Sequence, residues 1–205
     1  MPNWCTTSYV FRGNENEIKD FYNKIKSFVS KKRVPNDFGD SWLGNIVDGF
    51  GFDYNEIPCR GFIDYFPEID EDTDPGRLEL STETAWGPMT EMWDKIIAKY
   101  YPSITYVLIA EEPGCNLYVN TDTEGYDFTE RFSVDFKLPP KYTYGSPNGF
   151  YADCEEDVVE TFNSIFQRKY KSYKQCKKRL SKEFKKKEYR DKGYFITIHK
   201  YKEAI

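Results

Sequence analysis

Between residues 168 and 187 this chain of 205 residues carries Arg168, Lys169, Lys171, Lys174, Lys177, Lys178, Arg179, Lys182, Lys185, Lys186 and Lys187, with Tyr170 and Tyr173 among them. Cations at that density suit phosphate recognition, in which each neutralised phosphate releases counterions and affinity falls steeply with salt. The run is one pole of a divided chain. Residues 1–167 hold 14 Lys+Arg against 30 Asp+Glu, net −16, whereas residues 168–202 hold 15 against 3, net +12; the formal total of −5 conceals the division. Two other uses of the charge compete with nucleic-acid contact: a solvated cationic helix face, and docking of that helix on the acidic body of the chain itself. The acidic body is in turn a candidate mimic of nucleic-acid charge, or an interaction module for a basic protein partner.

Enzymatic chemistry is less well supplied. Glu111 and Glu112 are paired carboxylates at a strand end, the residue type for general acid–base work, but neighbours on a strand point to opposite faces. An enzyme built on such a carboxylate site is the third functional reading, behind the two binding readings. Trp4, Trp86 and Trp93 are pocket candidates; the expectation is that they are core, with Trp86 plugging the corner made by Gly87-Pro88. Asp70, Asp72 and Asp74 alternate as calcium ligands do, but Pro75 stands where such a loop needs Gly and Ser81 where it needs Glu, so a solvated acidic turn is expected. The single histidine, His199, sits on an alternating segment with no Ser or Cys motif around it. "GNIVDGFGFD" lacks the Lys and the strand–loop–helix context of a phosphate loop.

Cysteines stand at 5, 59, 115, 154 and 176. They are odd in number and widely spaced, neither a disulfide framework nor a Cys-x-x-Cys metal pair, so buried thiols in a reducing cytoplasm are expected, with no cofactor and no metal. No apolar run reaches the ~18 residues of a membrane span, and the start has neither the basic nor the apolar region of a secretory signal.

The elements that must position these residues follow from periodicity. Cys5 to Phe11 alternates as a strand, and Ile18, Phe21, Tyr22, Ile25, Phe28 and Val29 then recur at helical intervals. Residues 33–58, punctuated by Pro35, Asn36, Asp37 and several glycines, read as an ordered loop pinned by aromatics. Strands are expected over Arg60–Phe66 and Leu78–Thr84, followed by a helix with Pro88 in its first position and a stop at Pro102. Ile104–Ala110, the most apolar strand, then Asn116–Asn120 and Thr129–Phe136, complete the first domain. Beyond Pro139-Pro140, Val158, Phe162, Ile165, Phe166, Tyr170, Tyr173, Cys176, Leu180 and Phe184 keep a helical period over ~30 residues, a helix ~45 Å long if unbroken. Tyr194–Tyr201 alternates as a final strand.

The start "MPNWCTTSYVFRG", the junction "LSTETAWGPM" and the stretch "YPSITYVLIAEEPG" resemble the YubB-type ferredoxin-like family of bacterial proteins, often carried on plasmids and prophages. Asn3, Trp4, Cys5, Thr84, Ala85, Trp86, Pro88, Pro102, Glu112 and Gly114 carry the likeness, which spans roughly residues 1–120. The second strand departs from the family pattern of Trp-Gly-Thr-Lys-Trp type: this chain has "CRGFIDYF" and keeps Gly61. The resemblance implies a fold and a mobile-element setting, and no reaction.

The sequence therefore predicts an α+β protein. A ferredoxin-like sandwich (βαββαβ, helices on one face of an antiparallel sheet) is expected over residues 1–137, with a C-terminal extension over 138–205 made of a long basic helix and a final strand. The expected role is that of a non-enzymatic cytoplasmic binding or accessory protein, in contact with nucleic acid through the basic helix or with a basic protein through the acidic body.

Overall fold

A computed structural model describes residues 3–30, 39–70, 73–142, 145 and 148–204. Among these residues the chain is an α+β protein with antiparallel sheets and six α-helices. It divides into two compact units, one ending at Asp122 and the other running Thr123–Glu203. Among the described residues no helix is long and apolar enough to cross a membrane.

In the first unit β1 (Trp4–Arg12), β2 (Gly61–Tyr65), β3 (Arg77–Ala85), β4 (Thr105–Glu112) and β5 (Leu117–Asn120) form one sheet in the order β2-β3-β1-β4-β5, with every pairing antiparallel. β1 is the axis, bonded along its whole length to β3 and from Thr6 to Arg12 to β4. Alternation sends Cys5, Thr7, Tyr9 and Phe11 to one face, where α1 (Glu15–Val29) and α3 (Thr90–Tyr100) cover them. Asn14 caps α1 by accepting from the Asn16 N–H, and Ile18, Phe21, Tyr22 and Ile25 are its buried stripe. Phe11, Phe21 and Trp93 close a triangle of edge-to-face rings, with centroids 5.2, 5.4 and 6.0 Å apart. Such pairs add about 0.5–1.5 kcal/mol each beyond the area they bury.

The region read as a loop holds a short helix, α2 (Leu43–Gly49), whose Leu43, Ile46 and Val47 join the core. Its glycines are packing residues: a Cβ on Gly44 would strike the Trp42 ring, and one on Gly49 the Phe28 ring. Pro35, Asn36 and Asp37 lie outside the described residues. Pro88 precedes α3, which starts at Thr90 with Met89 as its uncapped first flank.

The second unit has its own sheet, β6 (Phe132–Lys137), β7 (Gly149–Ala152) and β8 (Phe195–Lys200), in the order β7-β6-β8. Here the structure corrects the expected boundary at residue 137. The strand expected to finish the first sheet is instead the centre of the second, because Phe132, Val134 and Phe136 share a core with the buried stripes of α4 (Glu155–Phe166) and α5 (Tyr173–Phe184). The continuous basic helix is also corrected. Gln167 turns left-handed (φ 50°) and ends α4, and α6 (Lys187–Arg190) is a separate short turn beyond α5.

The sheet of the first unit leaves no room at Gly61, where a Cβ would run into the Glu83 carbonyl and the Thr84 side chain. Gly61→Ala is expected to lower stability by about 1–3 kcal/mol, the usual cost of overpacking. A denaturant titration that finds the variant as stable as wild type would refute this close approach.

Candidate nucleic-acid interface

The cationic surface begins with the turn that aims α5. Asn163 uses both ends of its amide on the Tyr170 backbone, accepting from its N–H (2.6 Å) and donating to its carbonyl (3.2 Å). Arg168 places its guanidinium on the Glu183 carboxylate in a fork, at 2.5 and 2.9 Å, and donates to the Tyr170 hydroxyl at 2.8 Å. Ser172 then caps α5 by accepting from the Gln175 N–H, while the Gln175 side chain accepts from the Lys171 N–H. The result folds α5 back so that Cys176, Leu180 and Phe184 face the core of the second unit.

With that stripe buried, Lys174, Lys177, Lys178, Arg179 and Lys182 project from the rest of the helix and are exposed, as are Lys169, Lys171, Lys185, Lys186 and Lys187. Lys174, Lys178 and Lys182 stand four residues apart and form one row. Lys177 leans on Tyr173, 3.3 Å from its hydroxyl, and Lys186 stands 3.9 Å from Glu188. Among the described residues no ion pair engages Lys174, Lys178, Arg179 or Lys182. Arg168 separates from the set: it is committed to Glu183. That contact raises the guanidinium pKa and holds the Glu183 carboxyl below its ordinary value, with burial working against both. The charge follows the units, 11 Lys+Arg against 21 Asp+Glu over residues 1–122 and 18 against 13 over residues 123–205.

The other candidates have structural partners. Glu112 is 2% exposed, and its carboxylate accepts from the Gly114 and Cys115 N–H groups, so it closes the turn Pro113–Cys115. Glu111, on the opposite face, pairs in register with Thr6 and Tyr118. Thr73 donates to Asp70, and Asp74 accepts from the Gly76 N–H, which are turn contacts; Asp72 lies outside the described residues. Among the described residues no group of three or more His, Cys, Asp or Glu is placed to hold a metal. Cys5, Cys59 and Cys176 are buried free thiols, and burial pushes Cys176 up to about 12, whereas Cys115 is exposed.

Of the three candidate tryptophans only Trp93 is core. Trp4 pairs in register with Ala85 and meets the Phe62 ring edge-on at 5.5 Å, remaining 37% exposed. Trp86 does not plug the corner: it is 52% exposed, stands at φ 65°, and carries the Arg60 guanidinium 5.0 Å from its ring centre. The Trp86 N–H donates to the Asn3 carbonyl, which holds it in the left-handed region.

One constellation escaped the sequence because its members lie on strands far apart in the chain. Ser133 and His199 are cross-strand partners, and His199 Nε2 is 3.7 Å from an Asp135 oxygen. Burial lowers the His199 pKa and Asp135 opposes it. The residue types are those of a nucleophilic triad, but 3.7 Å is too long for the orienting hydrogen bond. Ser133 also lies within a regular strand, not at a strand-to-helix elbow.

Comparison with known proteins returned no family profile, no curated protein and no solved structure that matches this chain.

Two outcomes follow. Glu183→Gln is expected to cost about 1–2 kcal/mol at neutral pH, between the values for exposed and buried pairs. Because the folded Glu183 value is depressed, the wild-type advantage is complete above the ordinary 4.5 and fades as pH falls through the folded value. Paired melts from neutral pH to about pH 2 check this, and a gap that persists in acid would contradict the bridge. At the corner, Trp86→Gly is expected to be more stable than Trp86→Ala by about 1 kcal/mol, since both lose the ring and only Gly accepts positive φ freely. Equal melting temperatures would refute the strain.

Proposed function

We propose that this chain is a non-enzymatic nucleic-acid-binding protein that holds phosphates on the outer face of α5. One observation carries the reading: the row Lys174, Lys178 and Lys182 lies opposite the buried Cys176–Leu180–Phe184 stripe, exposed and without ion-pair partners among the described residues. A cationic row on a rigid helix is suited to backbone phosphates, and nothing in it reads base edges, so the recognition is independent of sequence. Tyr173 beside Lys177 marks one end of the row.

We read the first unit as ferredoxin-like, with β5 added at the edge. Support comes from the order β2-β3-β1-β4, all antiparallel, with α1 and α3 on one face. The likeness of residues 1–120 to YubB-type proteins supports a cytoplasmic accessory role in a bacterial mobile element.

The test is equilibrium binding of short single- and double-stranded DNA and RNA by the full chain across a salt series. A chain cut near residue 145 would lose β7 and β8, so substitution is the suitable control. The triple variant Lys174→Gln, Lys178→Gln, Lys182→Gln is expected to bind more weakly to every sequence, with the slope of log K against log salt reduced by roughly 2–3. An unchanged slope, or no binding by wild type at low salt, would overturn the proposal.

A further inference from the structure

Beyond the end of α5 a cleft of about 340 Å³ opens within the second unit, at the small end of the roughly 300–1,000 Å³ that ligand clefts span. One wall is Pro139, Pro140 and Lys141, where the chain leaves β6; the other is Tyr189 of α6 with Lys192 and Tyr194 from the turn into β8. Both walls are held from behind. The Tyr142 N–H donates to the Pro139 carbonyl at 2.9 Å, and Lys141 Nζ stands 4.8 Å from the centre of the Tyr142 ring. Opposite, the Tyr189 ring lies 4.9 Å from Phe184 and its hydroxyl donates to Glu183 at 3.3 Å. The Tyr194 N–H donates to the Tyr189 carbonyl at 3.0 Å, and the two rings meet edge-on at 6.4 Å. Glu183 and Phe184 are the last residues of α5, so the cleft lies at the helix end that the row Lys174, Lys178 and Lys182 reaches.

The lining combines flat apolar surface with positive charge. Tyrosine and proline rings face the cleft, and Lys141 and Lys192 are exposed at its mouth. Lys137 Nζ comes within 4.0 Å of the Cβ position of Gly193, the left-handed residue (φ 68°) between Lys192 and Tyr194. Glu188, the one acid in the lining, stands 3.9 Å from Lys186. Such a site is complementary to a flat ring joined to a phosphate, and it repels a basic peptide. In a duplex the bases are stacked inside and only phosphates meet the protein, whereas an unpaired base turns out onto an aromatic side chain. We propose that the Tyr189–Tyr194 cleft takes one unpaired nucleobase, stacked on Tyr194, from a strand whose phosphates lie on α5. The proposal rests on the phosphate-binding reading of α5 and adds what the lysine row alone does not give, a preference for single strands over duplexes.

The experiment titrates the full chain, Tyr194→Ala and Tyr194→Phe with a short single-stranded oligonucleotide containing 2-aminopurine, and with a duplex of the same length. Tyr194→Ala is expected to weaken single-strand binding at least about fivefold, the loss of one base–aromatic stack, while duplex binding and the salt slope stay unchanged. Tyr194→Phe keeps the ring and should bind as wild type does. Stacking quenches 2-aminopurine, so its fluorescence should fall on binding to wild type and to Tyr194→Phe, and less on binding to Tyr194→Ala. If melting shows Tyr194→Ala to be unfolded, Tyr194→Leu, which keeps apolar bulk without the ring, takes its place. An equal loss on both ligands, or none on either, would overturn the base site alone where the α5 triple variant still lowers the salt slope. No binding by wild type would overturn the phosphate-binding reading and the base site together.

Discussion

The second unit depends on how the chain turns between Phe166 and Tyr173. Gln167 adopts the left-handed conformation, and Asn163 clamps both backbone groups of Tyr170. The Arg168–Glu183 fork then ties the turn to the far end of α5. A single helix ~45 Å long would present its apolar stripe along one line, much longer than the short sheet of this unit. Two shorter helices lay both stripes on β6. That geometry leaves the lysines of α5 on the outside, so the cationic face is a consequence of satisfying the apolar one. Arg168 shows the two uses of positive charge side by side: it closes the turn, while Lys174, Lys178 and Lys182 face water.

The first unit rests on β1, bonded on both sides and packed by α1 and α3. Its aromatic triangle supplies shape, and its polar groups, concentrated between Cys5, Thr7, Tyr9 and Thr82, lie toward the sheet end that leads to the Trp86 corner. That corner departs from ordinary packing. A bulky residue at positive φ costs about 1–2 kcal/mol, and half of its ring faces solvent with Arg60 stacked on it.

Strict periodicity was legible. The alternation of Cys5–Phe11 and the helical stripe from Ile18 gave β1 and α1 with their buried faces, and the charge run located the exposed cations of α5. Three features were not legible, each for a physical reason. The break at Gln167 involves no Gly or Pro, and Tyr170 is itself buried, so the apolar period runs through the turn unbroken; the Ser172–Gln175 cap was the one local signal. Gly44 and Gly49 of α2 resemble loop punctuation but are sites of close ring contact. Strand pairing is a non-local choice, so alternation alone could not assign β6 to the second sheet or bring Ser133 beside His199.

The most direct measurement of the cationic-face account is a titration of the full chain with a short oligonucleotide, followed by backbone amide chemical shifts. Perturbations centred on Lys174, Lys178 and Lys182 that shrink as salt is raised are the predicted result. Perturbations confined to the strands of the first unit, or none at saturating oligonucleotide, would contradict it.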